Sequence, residues 1–101
     1  MQFIDTHCHL DAGEFGGNAA ALVTAARAAG VSTLVIPAVE RANFASVQNL
    51  CALHPSCAPA YGIHPMYVQH ANPADLDVVR TFLQQPNVVA VGEIGLDFFV
   101  E

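Results

Sequence analysis

The sequence contains no lysine, and its three arginines, Arg27, Arg41 and Arg80, face nine acidic residues for a formal net charge of −6. A protein that grips duplex nucleic acid through many phosphate contacts needs a basic face. This chain has none, so any action on nucleic acid must hold the phosphates by something other than its own cations. Long apolar runs are also missing: Val88 to Val91 is typical, far from the ~20 residues of a membrane span. The chain does not open with a basic segment followed by an apolar stretch, so no secretory signal is read and a cytoplasmic protein is expected. The cysteines, Cys8, Cys51 and Cys57, are odd in number and lack zinc-ribbon spacing, which predicts three buried reduced thiols. Repeats, low-complexity tracts and linkers are absent.

What is present is compact in character. Of 101 residues, 53% are hydrophobic and 12% charged, too apolar for intrinsic disorder. The length suits one small domain or part of a larger one.

Strand and helix patterns alternate. Gln2 to His9 reads as a first strand. Gly16-Gly17 forms a turn before Asn18, a good N-cap. Leu22, Val23, Ala26 and Ala29 follow at helical spacing, and Gly30 stands where a helix end favours a left-handed residue. Val31 to Ile36, ended by Pro37, is a β-branched strand buried on both sides. Phe44, Val47, Leu50 and Cys51 make a second helical stripe, closed by His54-Pro55. Ala58 to Ile63 is a third strand, followed by a loop to Asn72-Pro73, an N-cap with proline at the first helical position. Leu76, Val79, Phe82 and Leu83 give a third stripe, and Val88 to Glu93 a fourth strand.

The order βαβαβαβ predicts an α/β fold with a parallel sheet and helical crossovers. A Rossmann sheet would place a Gly-rich turn after its first strand, where this chain has His7-Cys8-His9. The pattern therefore suits the first half of a (β/α)₈ barrel, which takes ~250 residues when complete.

His7 and His9 lie two apart at a strand end, so alternation points both imidazoles one way and Cys8 the other. With Asp5 and Asp11 beside them, they suit a metal better than two unrelated histidines do. Asp5 shares their face one layer deeper, either orienting a ligand or bonding backbone. Glu93 ends a strand too apolar to carry a carboxylate by accident, and a buried carboxylate must be paired or bound to a metal. Asp97 would share its face if the strand continued, and is equally ordinary as a loop cap. Gly62-Ile63-His64-Pro65 brings a third imidazole to the same end of the sheet, the face where barrel enzymes build their sites. Gly92 and Gly95 are read as allowing close backbone packing beside Glu93. Arg41 is read as a solvated loop residue within reach of a phosphate, His54 as favouring a helix dipole, and His70 as a surface histidine. Met66-Tyr67 could wall a pocket.

Phe3-Ile4-Asp5-Thr6-His7-Cys8-His9-Leu10, Gly62-Ile63-His64-Pro65 and Val91-Gly92-Glu93-Ile94-Gly95-Leu96-Asp97 together resemble the TatD family of metal-dependent hydrolases and DNases, in its YjjV-like branch. The resemblance implies a (β/α)₈ barrel of the amidohydrolase type with a divalent metal centre, two ions of Zn, Mg or Mn in a complete site. It assigns His7 and His9 to one metal, makes Glu93 the bridging and catalytic carboxylate, and places His64 near the substrate. Two further histidines and a catalytic aspartate come, in that family, from strands five, six and eight. Residues 1–101 are accordingly expected to be the N-terminal half of one barrel domain, inactive alone. The missing half, or a second copy, would cover the exposed strands. The implied activity is hydrolysis of phosphodiesters at DNA ends by metal-activated water, with DNA or a small phosphodiester as substrate and no membrane partner. Hydrolysis of an amide, lactone or C–N bond on the same scaffold is the alternative, as is an inactive metal-binding half-barrel.

Overall fold

Four parallel strands in the order 1-2-3-4 build the sheet in the computed structural model, which describes residues 1–12 and 18–98. The elements are β1 (Phe3–Asp5), α1 (Ala19–Ala28), β2 (Val31–Pro37), α2 (Arg41–Leu53), β3 (Cys57–Tyr61), α3 (Pro73–Leu83) and β4 (Ala90–Val91). A doubly wound sheet reverses its strand order near the middle. Here each strand joins the next in sequence, as in the wall of a barrel, so the chain has the architecture of the first half of one.

The helices form where the sequence patterns place them, with local differences. Asn18 holds the N-cap position of α1, but its side chain makes no capping bond. Gly30 takes φ +95° just past that helix, and a β-carbon there would also press on the Met1 carbonyl at 3.3 Å. Gly16 and Gly17 lie outside the described residues. In α2, Phe44, Val47, Leu50 and Cys51 are buried as their spacing predicts. In α3 the stripe is offset: Leu76 is exposed, whereas Asp75 is buried. The reason is local, because the Asp75 carboxylate accepts the Asn72 N–H in a capping box and receives Arg41. The loop after β3 is wound into a 3-10 turn, Pro65–His70, whose start is held by the His64 Nδ1 atom accepting the Met66 N–H.

The strands are shorter than expected at the sheet's margins. β1 ends at Asp5 instead of His9, with a register irregularity between Phe3 and Ile4, and β4 keeps only two residues. Among the described residues both margins pair on one side only, so less holds them in ladder geometry.

The core lies between the sheet and the helices. Leu34, Ile36, Cys57 and Tyr61 pack against Phe44, Val47, Leu50 and Cys51. Phe44, Tyr61 and Phe82 form an aromatic triangle with ring centroids 5.0 to 5.3 Å apart, a geometry that adds about 0.5–1.5 kcal/mol per pair beyond area burial. Burial pushes the Tyr61 hydroxyl and the Cys51 thiol each up to about 12. Cys51 and Cys57 are buried and free as expected, but Cys8 is only half-buried. Phe3, Val89 and Val91 are more than half exposed. The third-strand alanines do not join them: Ala60 is 2% exposed and Ala58 half-buried, because β3 lies between two neighbours. No helix of the described residues is long and apolar enough to cross a membrane.

Candidate metal centre

The strand ends converge through backbone bonds that continue where the ladders stop. The Cys8 N–H donates to the Val35 carbonyl, extending β1 beside β2. Cys8 thereby packs against the core, and its two histidine neighbours turn toward the opposite face. The His64 N–H donates to the Val39 carbonyl, and the Glu93 N–H donates to the Ala38 carbonyl. Glu93 thus reaches past β3 to the end of β2.

That crossing depends on Gly62. A β-carbon there would stand 2.5 Å from the Glu93 carbonyl oxygen and 2.8 Å from the Gly92 carbonyl carbon. Close packing beside Glu93 was expected of Gly92 and Gly95. Gly92 instead has ordinary space, and Gly95 is needed for its φ of +125°. The chain turns there, so no strand carries Asp97 onto the face of Glu93.

The side chains of His7, His9 and Glu93 come together with ligand atoms all within 4.8 Å of one another. The two Nε2 atoms are 3.0 Å apart, and Glu93 Oε2 is 3.6 Å from His7 Nε2 and 3.1 Å from His9 Nε2. An ion bound at ~2.0–2.1 Å by imidazole and carboxylate places adjacent donors roughly 3.0–3.4 Å apart and opposite donors about 4.2 Å apart. The three separations fit that sphere, and the donor set suits a divalent metal. His64 Nε2 lies 3.6 Å from the other carboxylate oxygen, Oε1. Its Nδ1 accepts the Met66 N–H, so a neutral ring carries its proton on Nε2 and is a donor there. That makes His64 unsuited to ligation through Nε2 and suited to hydrogen bonding at the rim.

Asp5 takes the plainer of its two expected roles, accepting the His7 backbone N–H at 3.0 Å. Burial, reinforced by the Asp5 charge, pushes the Cys8 thiol up. Arg41 is no free loop residue: it begins α2 and pairs with Asp75 at 3.2 Å. His54 sits at the end of α2, and His70 ends the 3-10 turn, exposed. A cavity of about 520 Å³ opens beside the cluster, lined by residues including His9, Asp11, Asn43, His64, Tyr67 and Glu93. Met66 also lines it, so Met66-Tyr67 does wall a pocket. Gly62 stands in the Gly62-Ile63-His64-Pro65 motif without a role read for it, and Asn43 stands in none of the motifs. Asn43 lies three residues after Glu40 in a capping-box arrangement, which was a readable signal.

The family described as TatD related DNase matches residues 4–101. The chain belongs to that family. It is 40% identical over 100 residues to the uncharacterized metal-dependent hydrolase YjjV of Escherichia coli K12, covering 97% of this chain and 39% of that protein. It is 30% identical over 94 residues to the 3'-5' ssDNA/RNA exonuclease TatD of Klebsiella pneumoniae, covering 93% of this chain and 36% of that protein. The 1.8 Å crystal structure of YjjV, described as a TatD homologue, superposes with a TM-score of 0.90 over 96% of this chain and 38% of that one. This TatD-family chain therefore spans under two-fifths of the length of these relatives.

Proposed function

We propose that this chain carries the first-strand and fourth-strand metal ligands of a TatD-type hydrolase that cleaves phosphodiester bonds at the ends of DNA. The observation that carries the reading is the convergence of His7, His9 and Glu93, with His64 Nε2 facing the second Glu93 oxygen. In this reading His7, His9 and Glu93 would hold the divalent metal, the carboxylate facing the imidazole pair through Oε2 and His64 through Oε1. When bound, such ions activate water and neutralise charge on phosphoryl oxygens. His64 donates from Nε2 to the substrate and fixes its orientation. An acidic chain without lysine can act on DNA in this way, because its grip is confined to the terminal phosphates.

The remaining ligands and a catalytic aspartate come from further strands, so residues 1–101 form the first half of one barrel domain in this proposal. The three free cysteines suit a reducing compartment such as the cytoplasm. The test is hydrolysis by the full-length protein of single-stranded and duplex oligonucleotides alongside a panel of cyclic amides and lactones, before and after chelation. Metal-dependent release of nucleotides from DNA ends is the expected result. Turnover of only the amides or lactones would overturn the substrate assignment.

A further inference from the structure

We propose that Asn43 is a positioning residue of this centre, holding the loop that bears His7 and His9 in register with the β2–α2 segment whose carbonyls accept the Glu93 and His64 N–H groups. The inference rests on the metal-centre reading above and assigns the bond on which its assembly depends.

The Asn43 side chain is used at both ends. Its Oδ1 accepts the N–H groups of Val39 at 3.0 Å and Glu40 at 3.2 Å, and its Nδ2 donates to Asp11 Oδ2 at 2.9 Å. On one side, the segment it grips supplies the two carbonyls that position the rest of the cluster: Val39 accepts the His64 N–H at 2.8 Å, and Ala38 accepts the Glu93 N–H at 2.9 Å. On the other side, Asp11 is two residues beyond His9, in a turn closed by the Ala12 N–H on the His9 carbonyl at 3.0 Å. His9 is thus anchored before it by Cys8 on Val35 and after it by Asp11 on Asn43. The Asn43 amide thus adds, beyond His9, a second tie between the histidine loop and the end of β2.

Nothing else among the described residues substitutes for this bond. Asp11 Oδ1 is buried with no hydrogen-bond partner, so without the Asn43 amide the whole carboxylate would be stranded beside the cavity, where an unsatisfied charge is costly. Partners that orient metal ligands commonly change metal affinity or activity by roughly 10–100-fold when removed.

The chemistry permits a test that separates this role from helix capping and from any role of the Asp11 charge. Asn43→Asp keeps an oxygen for the Val39 and Glu40 N–H groups, so the start of α2 is preserved, but it sets a carboxylate against Asp11. The exchange Asp11→Asn with Asn43→Asp restores a donor-to-carboxylate bond with the polarity reversed. Zn²⁺ affinity of the full-length protein is measured at pH 8 by competition with a chromophoric chelator, and imidazole ¹⁵N spectra are recorded without metal. Asn43→Asp is expected to weaken Zn²⁺ binding roughly tenfold or more and to shift the His9 ring signals. The exchange variant should recover most of both. Wild-type affinity and spectra in Asn43→Asp would overturn the inference, as would an exchange variant no better than Asn43→Asp. If the wild type binds no Zn²⁺, the functional reading fails by itself, and the imidazole spectra still decide the role of Asn43.

Discussion

Gly62 lies against the backbone of Glu93 with no room for a side chain: a β-carbon at position 62 would stand 2.5 Å from the Glu93 carbonyl oxygen. The obstacle is backbone, which no rotamer change can relieve. The glycine lets the end of β4 cross over the end of β3 and bond to Ala38.

Gly62→Ala should therefore displace Glu93 from the imidazole pair. Overpacking of this kind costs about 1–3 kcal/mol, so Tm should fall by several degrees. Zn²⁺ affinity should fall by about tenfold or more, the range for partners that orient metal ligands. A variant with lowered Tm and unchanged affinity would show that the contact matters to stability alone. Isothermal calorimetry and a thermal melt read the two effects separately.

Glu93→Gln in the full-length protein should remove more activity than His64→Ala. The glutamine keeps the shape but loses the charge that faces His7 and His9 through one oxygen and His64 through the other. A loss of about 10³-fold in kcat/KM is expected for Glu93→Gln. His64→Ala should cost about 10–100-fold, with a rise in KM, because it orients substrate. Equal rates for Glu93→Gln and wild type on single-stranded DNA would take Glu93 out of the centre.

Alkaline pH should unfold the domain through its buried acids. The Cys51 thiol and Tyr61 hydroxyl are each pushed up to about 12 by burial, from 9.0 and 10.0. The unfolded chain loses these protons first, so it binds fewer protons than the folded chain above pH ~9. The stability from these two groups is intact below that pH and lost as pH rises toward 12. Denaturant melts from pH 7 to 11 should show a falling midpoint above pH 9. A flat midpoint would count against burial of both groups. Cys51 should also resist alkylation at pH 8 in the native state, since the thiolate is the nucleophile.

The 101-residue polypeptide expressed alone should self-associate and lack metal-dependent nuclease activity. Among the described residues, β1 and β4 each pair on one side only. Phe3, Ile4, Val89, Val91 and Ile94 are all more than half exposed nearby. Open strand edges flanked by apolar side chains are templates for association. His7, His9 and Glu93 alone also supply too few ligands to hold two metal ions. Sedimentation of a stable monomer with DNA hydrolysis matching the full-length protein would contradict this.

The sequence by itself determined the element order, the helical stripes and the identity of the chemical residues. Those follow from local rules: a 3.6-residue repeat marks Phe44, Val47, Leu50 and Cys51 as one face, and alternation places His7 and His9 together. Their motifs are legible because each is a short stretch whose chemistry is carried by neighbours in the chain. Where the strands would stop, and how far apart His7 and Glu93 would lie, were decided only by the tertiary structure. Eighty-six positions separate those two residues, and their meeting depends on a missing β-carbon at Gly62 and on the Ala38 carbonyl that accepts the Glu93 N–H. The double use of Asn43 was equally invisible. An asparagine near a helix start reads as a cap, and its second bond to Asp11 exists only once the two loops are folded side by side.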